Sequence, residues 1–375
     1  MAENTKSKRL FNLPETKGTF QLEGLITDCA KDDFYKEGKT QKGKGKGKRT
    51  LSFGVKVEPD VKVRCKIQAF EKPKVYFLKR EKNGKKTTYK TKDIPWADRF
   101  KSVKELGLGD DWSLIGSRVG LEKETNDKGQ VVNKKLVLDP FDLTKYASEH
   151  MADNQSVFIK GDIEYGSFTG ENGTKRQWSR MSPTQISLTS KEIDLDNEEH
   201  KVRSDFKQTM VFTNIEQEKE DDVPTGRFIV YGKIIGYSSV DDAEFYMTNK
   251  KLAKTFKKNV KPYSSIEVWG HIKTEIQTEE VEVEDDGWGE ADPTKRVVDS
   301  ARKELIITGA SKDSIDSETY TREAIDAAIE AIKKAEAARS DFGESDDEQT
   351  SSSSTDDEWG SGFDDSSDDT EGDVW

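Results

Sequence analysis

The sequence predicts a mainly β protein: small β-barrels in tandem, then a short C-terminal helix and a disordered acidic tail. Three observations carry that prediction. Four segments repeat the pattern apolar-x-apolar-x-Gly-x-Ile. Residues 318–339, "ETYTREAIDAAIEAIKKAEAAR", are rich in strong helix formers. Residues 341–375 contain 14 Asp and Glu and no Lys or Arg. Such a segment buries too little apolar surface to offset the entropy of ordering it.

Residues 1–14 read as a short arm. The first patterned segment follows, with Phe20, Leu22, Gly24 and Ile26 in "TFQLEGLITD". The pattern returns as Val157, Ile159, Gly161, Ile163; as Phe228, Val230, Gly232, Ile234; and as Ile266, Val268, Gly270, Ile272. Alternation at period two gives a strand one buried face, and a glycine within that face marks a bulge or sharp bend. The copies are irregularly spaced, which excludes a solenoid of fixed period. They read as strongly bent strands wrapping small barrels, with a generic sandwich as the alternative. "RTLSFGVKVE" and "VKVRCKIQAF" are two further strands around the Pro59-Asp60 turn. "KVYFLKREKNGKKTTYKTK" is a hairpin about Asn83-Gly84. "ADRFKSVKELG" reads as a short helix, and "RVGLEKE" and "KKLVLDP" as strands closing a first barrel over residues 15–146.

Five strands with a helix between the third and fourth is the order of an oligonucleotide-binding barrel. "YASEHMADNQ" marks a boundary. Residues 155–310 then form a second β domain of the same kind, either one elaborated barrel or two smaller ones divided near residue 222. Its helix is "NKKLAKTFKKNV". In the helix of 318–339, Ile325, Ile329 and Ile332 make a narrow apolar stripe that packs on the body or forms a dimer contact. The acidic tail occupies 340–375.

Composition narrows the chemistry. The only cysteines are Cys29 and Cys65, and the only histidines His150, His200 and His271. That excludes a disulfide framework and a Cys/His metal cluster of familiar spacing, and makes a reducing cytoplasm the expected compartment. No apolar run approaches the ~20 residues of a membrane helix, so no membrane partner is expected. "GKTQKGKG" at 38–45 has Gly45 where a phosphate-cradling loop needs Ser or Thr. Asp32-Asp33, Asp110-Asp111 and Asp241-Asp242 read as solvated loops. No nucleophile-and-base arrangement is visible, so neither an enzyme nor a cofactor is expected.

Charge is divided along the chain. The net charge is −12, yet residues 1–100 hold 26 Lys and Arg against 13 Asp and Glu. A basic front and an acidic end point to a polyanion partner. Lys39, Lys42, Lys44, Lys46, Lys48 and Arg49 lie on or beside a glycine-rich loop between the first two strands, where they can follow a flexible phosphate backbone. A two-residue turn at Asn83-Gly84 pairs Lys82 with Lys85 and Leu78 with Tyr89. One hairpin face then carries Tyr76, Leu78, Arg80, Lys82, Lys85 and Tyr89, and the other Phe77, Lys79, Lys86 and Lys90. Cations stacked across a hairpin repel, a bound polyanion relieves them, and unpaired bases stack on the rings. The alternative is an edge hairpin charged against aggregation. "EYGSFTGENGTKRQWSR" repeats the theme with Tyr165, Phe168, Lys175, Arg176, Trp178 and Arg180.

Aromatic residues punctuate the tail: Trp359, Phe363 and the terminal Trp375. "TEGDVW" sets Val374 and Trp375 behind Asp373, the form of a disordered peptide that docks an aromatic anchor in a partner's pocket. In "DEWGSGFDDSSDDTEGDVW", and in the inferred barrels, the chain resembles single-stranded DNA-binding proteins of bacteria and especially bacteriophages. The resemblance implies sequence-tolerant binding of single-stranded DNA in replication, recombination and repair, and a location in the bacterial host cytoplasm. It implies a tail tip that recruits replication or recombination proteins and competes with DNA for the groove. The bacterial form ends in Pro-Phe, whereas this chain ends in Val-Trp. RNA is a second candidate ligand, since stacking and charge do not read the 2′-hydroxyl. The alternative function is an acidic-tailed adaptor that binds basic proteins and no nucleic acid; a nuclease is a distant third.

Overall fold

A computed structural model describes residues 9–341, apart from 41–44, 84–85, 170–174, 198, 221 and 281–296. The tail residues Trp359, Phe363, Asp373, Val374 and Trp375 lie outside the described residues, as do Lys42, Lys44 and Lys85. The chain is mainly β, as its alternation requires.

It opens with β1 (Gly18–Thr27), β2 (Tyr35–Lys39), β3 (Gly47–Glu58) and β4 (Val61–Phe70). Then comes an insertion: β5 (Lys74–Asn83), β6 (Lys86–Pro95), β7 (Trp112–Leu114), β8 (Ser117–Gly120), β9 (Lys123–Thr125), β10 (Val131–Asn133) and β11 (Leu136–Leu138). Helix α1 (Pro140–His150) leads to β12 (Ser156–Thr169) and β13 (Lys175–Leu188). Pairings run β1–β3–β4–β13–β12 and return to β1, with β4 and β13 parallel. That is a ring of five strands with its helix between the third and fourth.

A second ring repeats the plan. It consists of β14 (Arg203–Glu220), β15 (Val223–Ile235), β16 (Val240–Met247), α2 (Lys250–Asn259), β17 (Ser264–Glu280) and β18 (Val297–Ala310). Pairings run β14–β15–β16–β18–β17 and back to β14, again with a parallel β16–β18 contact. Each parallel seam is a single bridge, Met181 to Cys65 and Tyr246 to Ile306. The rings are therefore partly open, as in an oligonucleotide-binding fold. They are not separate closed barrels, because β1 also pairs with β14 and joins both rings in one 13-stranded sheet.

The glycine pattern marks where strands change partner. β1 pairs with β14 up to Glu23 and with β3 from Leu25, so Gly24 sits at the switch. At Gly161 and Gly270 a Cβ would overlap the carbonyl oxygens of Ser182 and Ile306 on the adjacent strands, and the ladders shift register at both places. Glycine is required there because neighbouring backbone occupies the space of a side chain. The apolar positions of all four segments line a common core with Phe53, Met181, Phe206 and Phe245.

Several expectations are corrected. The boundary expected at "YASEHMADNQ" falls at the end of α1 and in the turn before β12. β12 and β13 complete the first ring, so that ring extends to Leu188, and residue 222 is only the tip of the β14–β15 hairpin. The first ring's helix is α1, not "ADRFKSVKELG", which makes a 3-10 turn at Trp96–Asp98. Asp139 caps α1 by accepting from the Phe141 amide, and Pro140 occupies the first turn, where its missing N–H costs nothing. β8 and β11 pair with each other and extend the sheet beside β13 instead of closing the ring. Helix α3 (Arg322–Asp341) packs Ile325, with Ile329 and Ile332 half-buried, against Val211, Ile235 and Leu13 of the N-terminal arm.

Candidate nucleic-acid interface

β4 alternates strictly. Val63, Cys65, Ile67 and Ala69 are buried, so Lys62, Arg64, Lys66, Gln68 and Phe70 line the outer face. On β3 the register places Lys56, Gly54, Ser52, Thr50 and Lys48 beside them. Across the parallel seam β13 adds Arg180, next to Met181, and then Trp178. Burial, and then the neighbouring charges of Arg180, Arg64 and Lys48, hold the Lys66 ammonium below the usual lysine range. The cations therefore converge on one strip.

Aromatic rings flank them. The Lys48 ammonium lies 5.7 Å from the centroid of Phe70, and the Arg180 guanidinium 5.1 Å from that of Trp178. Trp178 lies over Gly166, its register partner on β12, in space that a Cβ would fill. Two residues along the same face, Phe168 is 46% exposed and pairs in register with Arg176. Strands two and three of an oligonucleotide-binding fold form its ligand face, with the loops after strands one and four at the rim. Here β3 and β4 are those strands, and the β12–β13 arm is the extended rim.

Carboxylates attend part of the strip. Asp33 pairs with Arg64 and Glu164 with Arg180, while Asp28 lies 3.2 Å from the Lys62 ammonium. The Arg64–Asp33 pair is exposed and therefore weak and salt-sensitive, whereas Glu164 and Arg180 are part-buried and Asp28 is largely covered. Arg49 has a structural task instead. Its guanidinium sits 3.9 Å from the Phe141 ring centroid, donates to the Phe141 carbonyl at 3.1 Å, and pairs with Glu37 and Asp142. Lys39 and Lys46 are exposed at the end of the β2–β3 hairpin.

The β5–β6 hairpin keeps the expected faces in a shifted register. Arg80 pairs with Tyr89 and Asn83 with Lys86, a ladder two residues away from the one expected for a turn at Asn83-Gly84. Tyr76, Leu78, Arg80, Lys82 and Tyr89 share one face by register. The other face is not a stacking surface. Phe77 is buried with Val75, Ile94 and Leu108 in a small core of its own. Lys79 and Lys90 are adjacent, but Glu81 lies between them at 3.5 and 2.9 Å, and Asp111 reaches Lys79 at 2.7 Å. The repulsion expected across this face is thus neutralised locally. Tyr165 also turns inward to the core, where burial raises its hydroxyl pKa, so it does not face the strip. Lys175 and Arg176 are placed by backbone register alone.

The strip's central cations, Lys62, Arg64 and Lys66, were not among the residues singled out from sequence. Their signal was present in "VKVRCKIQAF", where three successive outward positions of one strand are basic. Ring two differs at the same face. Arg227 pairs with Glu218 and Glu304, and Lys233 with Asp242. Burial, Glu244 and Glu216 raise the Tyr231 hydroxyl pKa. The rings meet where Lys303 donates to the Ser179 carbonyl at 2.8 Å and Gln177 to Asp242 at 3.2 Å. Among the described residues, no three His, Cys, Asp or Glu side chains gather to hold a metal ion, and no helix is long and apolar enough to cross a membrane.

Fold and site together define an oligonucleotide-binding-fold protein with a basic, aromatic outer face on its first ring. Residues 18–345 match the YorF family, and the chain belongs to that family. No curated protein matches the chain. Among solved structures it is similar to the wild-type single-stranded DNA-binding protein from Thermus aquaticus. Identity is 9% and the TM-score 0.34, over 79% of this chain and 91% of that one. A deletion mutant of the same protein matches at 8% identity and a TM-score of 0.36, over 79% and 94%. Likenesses this distant leave function to be read from the residues themselves.

Proposed function

We propose that the chain binds single-stranded DNA, with little sequence preference, along the outer face of β3, β4 and β13. One observation carries this: Lys48, Arg64, Lys66 and Arg180 converge on a strip flanked by Phe70 and Trp178. Phosphates displace counterions from the cations, and unpaired bases stack on the rings. A duplex keeps its bases stacked on one another and presents no such faces. The role is one of binding in replication, recombination or repair, not of catalysis, in the cytoplasm of a bacterial host, with a bacteriophage origin.

Within this reading the acidic tail, with Trp359, Phe363, Asp373, Val374 and Trp375, recruits partner proteins and competes with DNA for the cations. Deleting Val374 and Trp375 abolishes partner capture and leaves DNA binding nearly intact. The reading is tested by titrating full-length protein with matched single-stranded DNA, duplex DNA and single-stranded RNA over a salt series. Binding to single strands that weakens steeply with salt supports it. Equal binding to duplex overturns the single-strand preference. No binding to any nucleic acid leaves the adaptor reading, in which the 14 tail acids hold basic proteins.

A further inference from the structure

Helix α2 carries a feature that the strip does not use. Its sequence and C-terminal flank read "KKLAKTFKKNVK". Ala253, Phe256 and Val260 are buried in the core of ring two. Lys250, Lys251, Lys254, Lys257 and Lys258 are exposed, and so is Lys261 just past the helix. The spacing i, i+1, i+4, i+7 and i+8 puts the five helical lysines on one continuous outer stripe. Residues 249–262 contain no Asp or Glu, and no described carboxylate pairs with any of these lysines.

Part of this arrangement costs the fold stability, although Lys257 and Lys258 in the last turn suit the helix dipole. Like charges at i, i+4, such as Lys250 with Lys254 and Lys254 with Lys258, destabilise a helix. Cations in its first turn oppose the helix dipole, and α2 has no acid there. The same chain manages an exposed helix differently in α3, where Arg322 faces Asp326 and Lys334 faces Glu330, at 3.7 and 4.0 Å. In a chain of net charge −12, an acid-free lysine face is not a product of composition.

Its place in the ring adds a second argument. The Lys250 stem comes within 4.0 Å of where a Cβ on Gly226 would stand, near the start of β15 and close to the connection between the first two strands of ring two. That connection is a rim of the ligand face in this fold, and it corresponds to the lysine-bearing connection of ring one. We infer that the lysine face of α2 is a second contact surface for single-stranded nucleic acid, one that touches phosphates only. This rests on the reading proposed above. Ring two's strand face is neutralised by its own acids, and α2 takes over its cationic role. No aromatic side chain stands on the outer stripe, so the contact is blind to bases. Successive lysines one turn apart advance about 6 Å along the axis, comparable to the step between phosphates of an extended strand.

The test uses the full-length chain and a variant with Lys250, Lys251, Lys254, Lys257 and Lys258 each replaced by Gln. Fluorescence anisotropy is read with oligothymidylates of about 10 and about 40 nucleotides, one within and one well beyond the span of a single ring. The expected result is unchanged binding of the short strand. For the long strand the salt slope falls by ~0.7 per lost contact, up to ~3.5 for all five, with at least about tenfold weaker binding at low salt. A companion variant with Arg at all five positions keeps wild-type behaviour. Thermal melts confirm that both variants fold. Unchanged long-strand affinity and slope in the Gln variant overturn the inference while leaving ring one's role intact. If deleting 342–375 strengthens long-strand binding in wild type but not in the Gln variant, whose own long-strand binding is unweakened, α2 is a dock for the tail and the inference is likewise overturned. Failure of wild type to bind either strand removes the single-strand reading and this inference with it.

Discussion

Replacing Lys66 with Met separates binding from stability at one side chain. The substitution keeps the length and packing of the stem and removes the charge. Lys66 stands at the centre of the strip, and burial and three neighbouring cations already hold its pKa down. Five cations, Lys48, Lys62, Arg64, Lys66 and Arg180, set an upper salt slope of ~3.5 for a single strand. Lys62, Arg64 and Arg180 hold carboxylates already, so they exchange partners and release fewer counterions. Lys66 contributes its full share, and the variant should lose ~0.7 of the slope.

The proton gives a second readout. A bound phosphate favours the charged amine, so wild-type binding takes up a proton near the depressed pKa, and affinity falls as pH rises through it. The variant lacks that alkaline decline. Stability moves the opposite way. Because the folded pKa lies below the unfolded one, the unfolded chain binds more protons as pH rises into the lysine range. Wild-type stability therefore increases across that window, and below it the charged amine costs the fold. The Met variant should bind more weakly and melt higher at neutral pH. Anisotropy over salt and pH, with thermal melts, measures both. Unchanged affinity and slope, or a lower melting point, would refute the reasoning.

Three further outcomes are expected. Trp178→Ala should cost ~1–3 kcal/mol of single-strand affinity, roughly 5- to 150-fold, if bases stack on that ring; unaltered anisotropy titrations would remove Trp178 from the surface. Lys303, wedged beside Cys65 between the rings, has its pKa pulled down to about 8 by burial. Its unfolded counterpart binds more protons between that value and the ordinary 10.5, so Lys303 adds a rising contribution to stability from pH 8 to 10.5, and the climb in urea midpoints should be shallower in Lys303→Met. Gly161→Val drives a side chain into the Ser182 carbonyl and should lower stability by ~1–3 kcal/mol in thermal melts.

The four glycine-broken segments were legible because their physics is local: period two fixes the buried face, and glycine fixes the bend. The same holds for the membership of the hairpin faces, which survives a register shift of two residues because side chains repeat every second residue. Partner choice was not legible. That β12 returns to β1, or that β4 meets β13, depends on contacts more than a hundred residues apart. Asp139-Pro140 is a helix start, with a capping residue and a first-turn proline, that the alternation of "KKLVLDP" disguises as a strand end. Charge clusters in loops drew attention to Lys42 and Arg49. The alternating Lys62, Arg64 and Lys66 were hidden inside a pattern already assigned to folding. Phe77 and Tyr165 show the converse, since a ring beside cations in sequence can belong to a core.

The β1–β14 ladder, Gly18 opposite Gln208 to Glu23 opposite Arg203, sets two like rings back to back about antiparallel first strands. Two identical subunits meeting this way would form an isologous dimer, with every surface feature duplicated. Covalent fusion lifts that constraint. A substitution in one half is not copied in the other, so cations could gather on the strand face of the first ring while acids gathered on that of the second. The cost of bringing the halves together is met once, in folding, and not at each binding event. Under the proposed function a nucleic acid strand would meet an asymmetric track, and the polarity in which it crosses the two halves would be a property of the chain.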